Sequence, residues 1–448
     1  MSPLLRVHVH EPGVKPGSGW VPCKIGEHVR FSTEELASYC FAEWEPVVFD
    51  ALLVAAVVEF CDRSQRRATH HWVREFHVRI PVHEPRRWEQ VGGALHEALS
   101  FLTGDRWAFE FSARKKAEPS PMQRSFVLPS GSRAVIAFSE GLDSRAVAGL
   151  MQQSLGDKLL RVRLGAKATD LDSMASYGQL LASVPYGVHP QASVESSARA
   201  RGFKFATISG LSAYLTTADR IIVPESGQGA LGPALIPVGQ AYEDYRNHPA
   251  FTDLMEAYLS ALLNYQPHFE FPRLWYTKGE TLKEFVDTCK DAQTWEQTRS
   301  CWQSARQVSV DGRKRQCGIC AACMLRRQTV HAAGLTEAKE TYVWENLAAA
   351  KFEQGAAKGF DLYLHAQREY AIAGTLHLDH LAALRSSAPG CIAIDLCAFQ
   401  LARSLRIPEA DAKAKLGRML SKHETEWGSF VKSLGKRSFI ADWAAHLR

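Results

Sequence analysis

The sequence predicts an α/β chain built on a doubly wound parallel sheet, preceded by a small α+β domain and followed by a helical region. Three observations predict it. Residues 134–138 (AVIAF) are a short apolar run that passes through SEGLDSR into small and apolar residues at helical spacing, in the order strand, tight turn, helix. From Arg133 onward, strand-like and helix-like stretches alternate, which is the signal of βαβ units. Beyond Leu335 the chain is alanine-rich with apolar residues three and four apart, punctuated by Gly374, Pro389-Gly390 and Pro408. The expected domains are 1–125, 126–335 and 336–448.

Each stretch has its own reason. In the first domain, 51–61 carries a helical apolar face, 76–82 and 107–111 alternate as strands, and 88–102 is helix-like. The charged residues Asp62, Arg63, Arg66, Arg67 and Arg74 near Trp72 read as a solvated face, or less readily as a polar docking surface. Residues 112–125 are polar and proline-containing, as a linker is. In the second domain, strands are expected at 134–138, 159–164 and 220–224, with helices at 144–154, 203–218 and 251–264. In the third, helices are expected at 347–353, 360–373, 378–386, 392–405 and 408–421, packed as a bundle.

Composition narrows the function classes. The chain has 448 residues, 46% of them hydrophobic, and a net charge of +5. That is room for two or three cored domains, and the basic excess is far below that of a dedicated DNA-binding domain. The first residues hold no apolar core of signal-peptide length and the longest apolar run, 51–60, is too short for a bilayer, so a soluble, cytoplasmic chain is expected. Ten unevenly placed cysteines do not form a secreted disulfide framework.

The chemistry centres on 139–145. A strand-to-helix turn presents the free N–H groups of a helix start, here joined by the Ser139 and Ser144 hydroxyls, and the helix dipole favours an anion there. Phosphate fits, and Gly141 permits close backbone approach. Asp143 would repel a bare phosphate, which argues for a bridging magnesium ion; as a helix cap it is equally at home. The patterns G-x-x-x-x-G-K-[ST] and G-x-G-x-x-G are both absent. A second loop, 225–229 (ESGQG), is expected at the same end of the sheet. Arg199 and Arg201 suit bidentate phosphate contacts or a solvated helix start, and Lys278 follows Thr277 in what is also a plain capping box with Glu280.

The most specific signal is Cys317-Gly-Ile-Cys320-Ala-Ala-Cys323, with Cys301 upstream. Thiolates two residues apart grip one tetrahedral ion, Gly318 eases the knuckle, and Cys301 closes a structural zinc shell with no open position for catalysis. A ferredoxin run would continue to a fourth cysteine and proline, and a redox pair would not be a triplet. Arg313, Lys314 and Arg315 offset thiolate charge, or simply make a basic loop. His365, His377 and His380 are spaced too loosely for a ligand set, and Cys391 and Cys397 read as core thiols.

SEGLDSR after a buried strand resembles the S-G-G-x-D-S pyrophosphate loop of the N-type ATP pyrophosphatases, with Glu140 standing where the pattern has its first glycine. Together with the cysteine element, C…C-G-x-C-x-x-C-x-x-R, it is similar to 7-cyano-7-deazaguanine synthase, the QueC family, over about 126–335. The resemblance implies an adenine nucleotide alpha hydrolase-like fold and the use of zinc, ATP and Mg2+ to convert a 7-deazaguanine carboxylate to an amide and nitrile. It implies that Ser139, Gly141, Leu142, Ser144 and Arg145 hold the phosphates with Arg199, Arg201 and Lys278, that Asp143 is catalytic, and that Cys301, Cys317, Cys320 and Cys323 bind the metal. The added N-terminal domain and helical extension resemble the QatC group of the Qat anti-phage defence cluster, which implies protein partners from that cluster. Two other readings remain: a scaffold or nucleotide sensor that has lost turnover through Glu140, and a tRNA base-modifying relative, which the modest charge disfavours.

Overall fold

A computed structural model of the protein describes residues 4–33, 45–68, 70–115, 133–139, 141–164, 181–184, 186–237, 241–289, 292–303, 305–360 and 365–445. The chain divides into two compact units. One comprises Met1–Ser139, Ser154–Val223 and Gly239–Phe271; the other comprises Glu140–Gln153, Pro224–Val238 and Pro272–Arg448. Glu140 and most of the expected linker, 116–125, lie outside the described residues.

The first unit holds two parallel sheets. β1 (Leu5–His10), β2 (Val21–Lys24), β4 (Glu75–Val82) and β5 (Arg106–Ala113) form one, in the order β2-β1-β4-β5, with Val7 aligned to both Val21 and Val78. All its pairings are parallel, so this region is α/β and corrects the expected α+β class. Alternation marks a strand without giving its direction; the direction follows from α2 (Pro85–Thr103), which crosses over between β4 and β5. Proline at its first turn and Gly104, at φ 68, just past its end fix the limits of α2. Its stripe of Trp88, Val91, Leu95, Leu99 and Leu102 is buried. α1 (Pro46–Ser64) is apolar nearly all round and is buried on every side, as a central helix must be. Short strands β3 (Val29–Phe31) and β9 (Tyr186–Val188) pair antiparallel.

The second sheet contains β6 (Ala134–Ala137), β7 (Leu159–Leu164), β8 (Leu181–Val184), β10 (Arg220–Ile222) and β11 (His268–Glu270), in the order β11-β10-β6-β7-β8 and parallel throughout. Numbered by sequence, that order is 3-2-1-4-5, the doubly wound arrangement. It puts the switch point between β6 and β10, whose carboxyl ends lead directly into 138–145 and 223–229. α4 (Arg201–Leu215) and α5 (Pro249–Leu263) match the expected helices to within a turn at most. One continuous core joins β1, α1 and α2 to α4 and α5, so the N-terminal segment and the second sheet share buried surface.

Of the charged cluster around Trp72, Arg66 is exposed as expected, but Asp62, Arg67 and Arg74 are not a solvated face. Arg74 is fully buried and donates to Asp62 at 2.6 Å and Asp105 at 2.7 Å, and Arg67 grips Asp105 through both nitrogens at 2.7 and 2.9 Å. Two carboxylates and two guanidiniums satisfy one another away from water, which a local sequence pattern does not reveal.

The second unit is mostly helical. α3 (Leu142–Leu155) packs Leu142 and Ala146 with Leu282 and Phe285 of α6 (Lys278–Thr288) and Val330 of α7 (Ala321–Ala332). α8 (His365–Ala383), α9 (Ala388–Leu405), α10 (Glu409–Leu434) and α11 (Phe439–Ala445) follow. α8 runs unbroken through Gly374, where a Cβ would lie 2.8 Å from the Ala321 amide; the glycine admits a close helix crossing and does not end the helix. The helix expected at 347–353 is absent, and only a 3-10 turn, Phe352–Gly355, forms there. Among the described residues no single helix is long and apolar enough to cross a membrane.

Candidate functional site

The first turn of α3 carries Asp143 and Ser144, both buried. The Asp143 carboxylate forms an ion pair with Lys278 Nζ and accepts a 3.4 Å hydrogen bond from Ser226 Oγ. The structure therefore brings together two predicted residues that lie far apart in sequence, with a hydroxyl from the 225–229 loop. Leu142 turns its side chain into the core, leaving only its backbone for a ligand. Ser139 is the last residue of the first segment of the first unit, while Gly141 accepts a 3.2 Å bond from Arg145 N at the helix start.

Lys278 is the first residue of α6, and the capping-box reading of its segment holds. Thr277 caps the helix: its Oγ1 accepts from Glu280 N at 3.2 Å and its N–H donates to Glu280 Oε2 at 2.9 Å. The same cap aims Lys278 at Asp143.

Three residues of α10 make contacts here. Thr277 Oγ1 donates to Glu426 Oε1 at 2.8 Å, Arg418 pairs with Glu280 and donates to the Trp275 carbonyl at 3.0 Å, and Gln228 Nε2 donates to His423 Nδ1 at 2.8 Å. Sequence reading missed these residues. Their signal was two polar residues, His423 and Glu426, set in the apolar stripe of Leu416, Met419, Leu420, Trp427 and Phe430. Burial pushes the Glu426 carboxyl up to about 7 and His423 down to about 4.

The arginines of the 195–203 segment have partners inside the first unit. Arg199 donates to the Tyr242 carbonyl at 2.7 Å, lies 3.5 Å from Asp244 and stacks on Trp72. Arg201 is exposed, lies over Phe205 and lines a cavity of about 460 Å³ together with Lys204, Glu59 and Tyr186.

The four cysteines converge. Their Sγ atoms all lie within 4.8 Å of one another, with Cys317, Cys320 and Cys323 buried. Backbone N–H groups point at the sulfurs: Cys317 N to Cys301 Sγ at 3.2 Å, and Cys320 N to Cys317 Sγ at 3.3 Å. Gly318, at φ 83, makes the knuckle, and a Cβ there would press on Arg327 and the Trp344 carbonyl. Hydrogen bonds from Cys317 and then Cys320 and Cys323 pull Cys301 far below the ordinary thiol range, while burial pushes Cys323 up. Four sulfurs within reach of one tetrahedral ion fit zinc, and all four ligand positions are filled by protein.

Residues 230–334 match the family model of the queuosine biosynthesis protein QueC. The chain is QueC-like over that stretch. The match holds Lys278 and all four cysteines, begins after the 139–145 and 225–229 loops, and covers less of the chain than the expected 126–335. A QueC domain implies the nucleotide alpha hydrolase fold and an ATP-utilising enzyme of pyrophosphatase type acting on a nucleobase-type substrate. The parallel sheet and the four-cysteine cluster agree with it. No curated protein matches the chain.

Proposed function

We propose that this protein is an ATP-dependent adenylating ligase of the 7-cyano-7-deazaguanine synthase type. The observation that carries the reading is the pairing of Asp143 with Lys278 at the start of α3, in the loop that follows β6. Ser139, Gly141, Leu142, Ser144 and Arg145 cradle the ATP phosphates with backbone N–H groups and hydroxyls. Lys278 exchanges its carboxylate partner for a phosphate oxygen when nucleotide binds. Asp143 and Ser226 offer the oxygen ligands that Mg2+ prefers, and magnesium when bound neutralises charge on the phosphates.

A carboxylate oxygen of a 7-deazaguanine substrate attacks the α-phosphorus. The bond to the bridging oxygen breaks and pyrophosphate leaves. The acyl-adenylate then meets an amine: a C–N bond forms, AMP departs and the amine proton passes to water. Positioning and charge stabilisation supply the acceleration, without a protein nucleophile. The four-cysteine site braces the fold beside α7.

The N-terminal domain and helical extension support a closer likeness to the QatC group, hence a cytoplasmic role in anti-phage defence in which the amine belongs to a protein partner. Pyrophosphate release from ATP with 7-carboxy-7-deazaguanine and ammonium, present in the wild type and absent in Asp143→Asn, tests the reading. Glu140 at the glycine position favours one alternative, a nucleotide-sensing scaffold, which would bind ATP and release no pyrophosphate with any amine.

A further inference from the structure

We infer that His423 of α10 is a positioning residue for Lys278, acting through Gln228, so that the C-terminal helical region completes the Asp143–Lys278 site. The inference rests on the reading of that site as the ATP seat.

Four buried groups make the connection. His423 Nε2 lies 3.0 Å from the Leu378 carbonyl, which can only accept, so the ring proton sits on Nε2 and Nδ1 is an acceptor. Nδ1 receives the Gln228 amide at 2.8 Å and the Gln328 amide at 3.1 Å. With its N–H₂ thus directed, Gln228 turns Oε1 toward the backbone N–H of Lys278, 2.6 Å away. That N–H belongs to the first turn of α6, whose amides have no partner within the helix. Its capture fixes where the helix begins and the direction in which the Lys278 side chain leaves it, toward Asp143.

The chain of bonds has one polarity. A proton on Nδ1 would face two N–H₂ groups, and turning the Gln228 amide to relieve that would set N–H₂ against the Lys278 N–H. Burial holds the imidazole neutral, which keeps the polarity in place. His423, Gln228 and Gln328 are all at most 2% exposed, so water does not substitute for a lost partner. His423 lies outside the stretch that matches QueC, so this support belongs to the added helices.

The test exploits which imidazole nitrogen acts. Asparagine at 423 puts its carbonyl near the place of Nδ1, whereas glutamine reaches the place of Nε2. The rate at which an amine-reactive reagent acylates Lys278, followed by peptide mass spectrometry in the full chain, reads the position of that lysine without nucleotide. Lys204, held by Glu59 at 2.6 Å in the other unit, reports any general unfolding. Expected are labelling of Lys278 roughly fivefold to tenfold faster in His423→Gln and Gln228→Met, the equivalent of one lost buried hydrogen bond, with His423→Asn near wild type and Lys204 unchanged in all. Equal Lys278 rates in His423→Asn and His423→Gln, or a wild-type rate in Gln228→Met, overturn the inference. Mg·ATP affinity of the same proteins should fall in the same order. A wild type that does not bind ATP overturns the functional reading instead and leaves the labelling result to decide this one.

Discussion

Glu426 gives the structure a pH signature. Its carboxyl is buried on α10, with Thr277 donating to it at 2.8 Å and Lys422, Arg418 and Glu280 as the charged groups that act on it. Burial dominates, raising the carboxyl from 4.5 in the free side chain to about 7 in the folded protein. A raised folded value means that the native state holds a proton the unfolded chain has released, so stability is complete below pH 4.5 and declines as pH rises through 7. The gap corresponds to about 3 kcal/mol at about 1.36 kcal/mol per pH unit, as an upper bound. Glu426→Gln keeps a carbonyl for Thr277 and removes the titration. Urea denaturation at pH 5, 6, 7 and 8 should show the variant within about 1 kcal/mol of wild type at pH 5 and more stable by roughly 2–3 kcal/mol at pH 8. A difference that is the same at pH 5 and pH 8 would refute the assignment, and with it the claim that α10 buries Glu426 against the cap of α6.

Other predictions follow from the same contacts. Purified protein should carry one zinc ion per chain by atomic emission, with Cys320→Ser and Cys323→Ser each losing it and melting earlier; full zinc content in both variants would contradict the four-sulfur site. Lys278→Met leaves the Asp143 carboxylate without its cation and should weaken Mg·ATP binding by roughly tenfold or more in calorimetry. Arg74→Met takes from Asp62 its close guanidinium and from Asp105 one of its two, and should destabilise by about 3–5 kcal/mol in denaturant titration. A loss below about 1 kcal/mol there would mean that the pair is hydrated.

What the sequence discloses follows the range of the interactions. Strand, turn and helix over 134–150 are local, so period and turn chemistry place them to within a few residues. The cysteine triplet is legible because metal spacing is itself a sequence pattern. Strand direction in the first sheet was not legible, since Phe76 through Val82 alternates the same way whichever way its neighbour runs. Gly374 looks like a break in α8 because its reason, the Ala321 backbone packed against it, lies on another helix. Arg67 and Arg74 look solvated because their carboxylates come from Asp62 and the more distant Asp105. The same holds for His423 and Glu426: only their places on a buried stripe hinted at work, and what they touch, Gln228 and Thr277, is set by tertiary structure.

Oxygen transfer tests the central claim most directly. With ATP and 7-carboxy-7-deazaguanine labelled with 18O in its carboxylate, attack at the α-phosphorus followed by amine displacement carries one labelled oxygen into AMP. The account predicts AMP enriched with 18O in the wild type and no AMP from Asp143→Asn; unlabelled AMP, or none from the wild type, would contradict it.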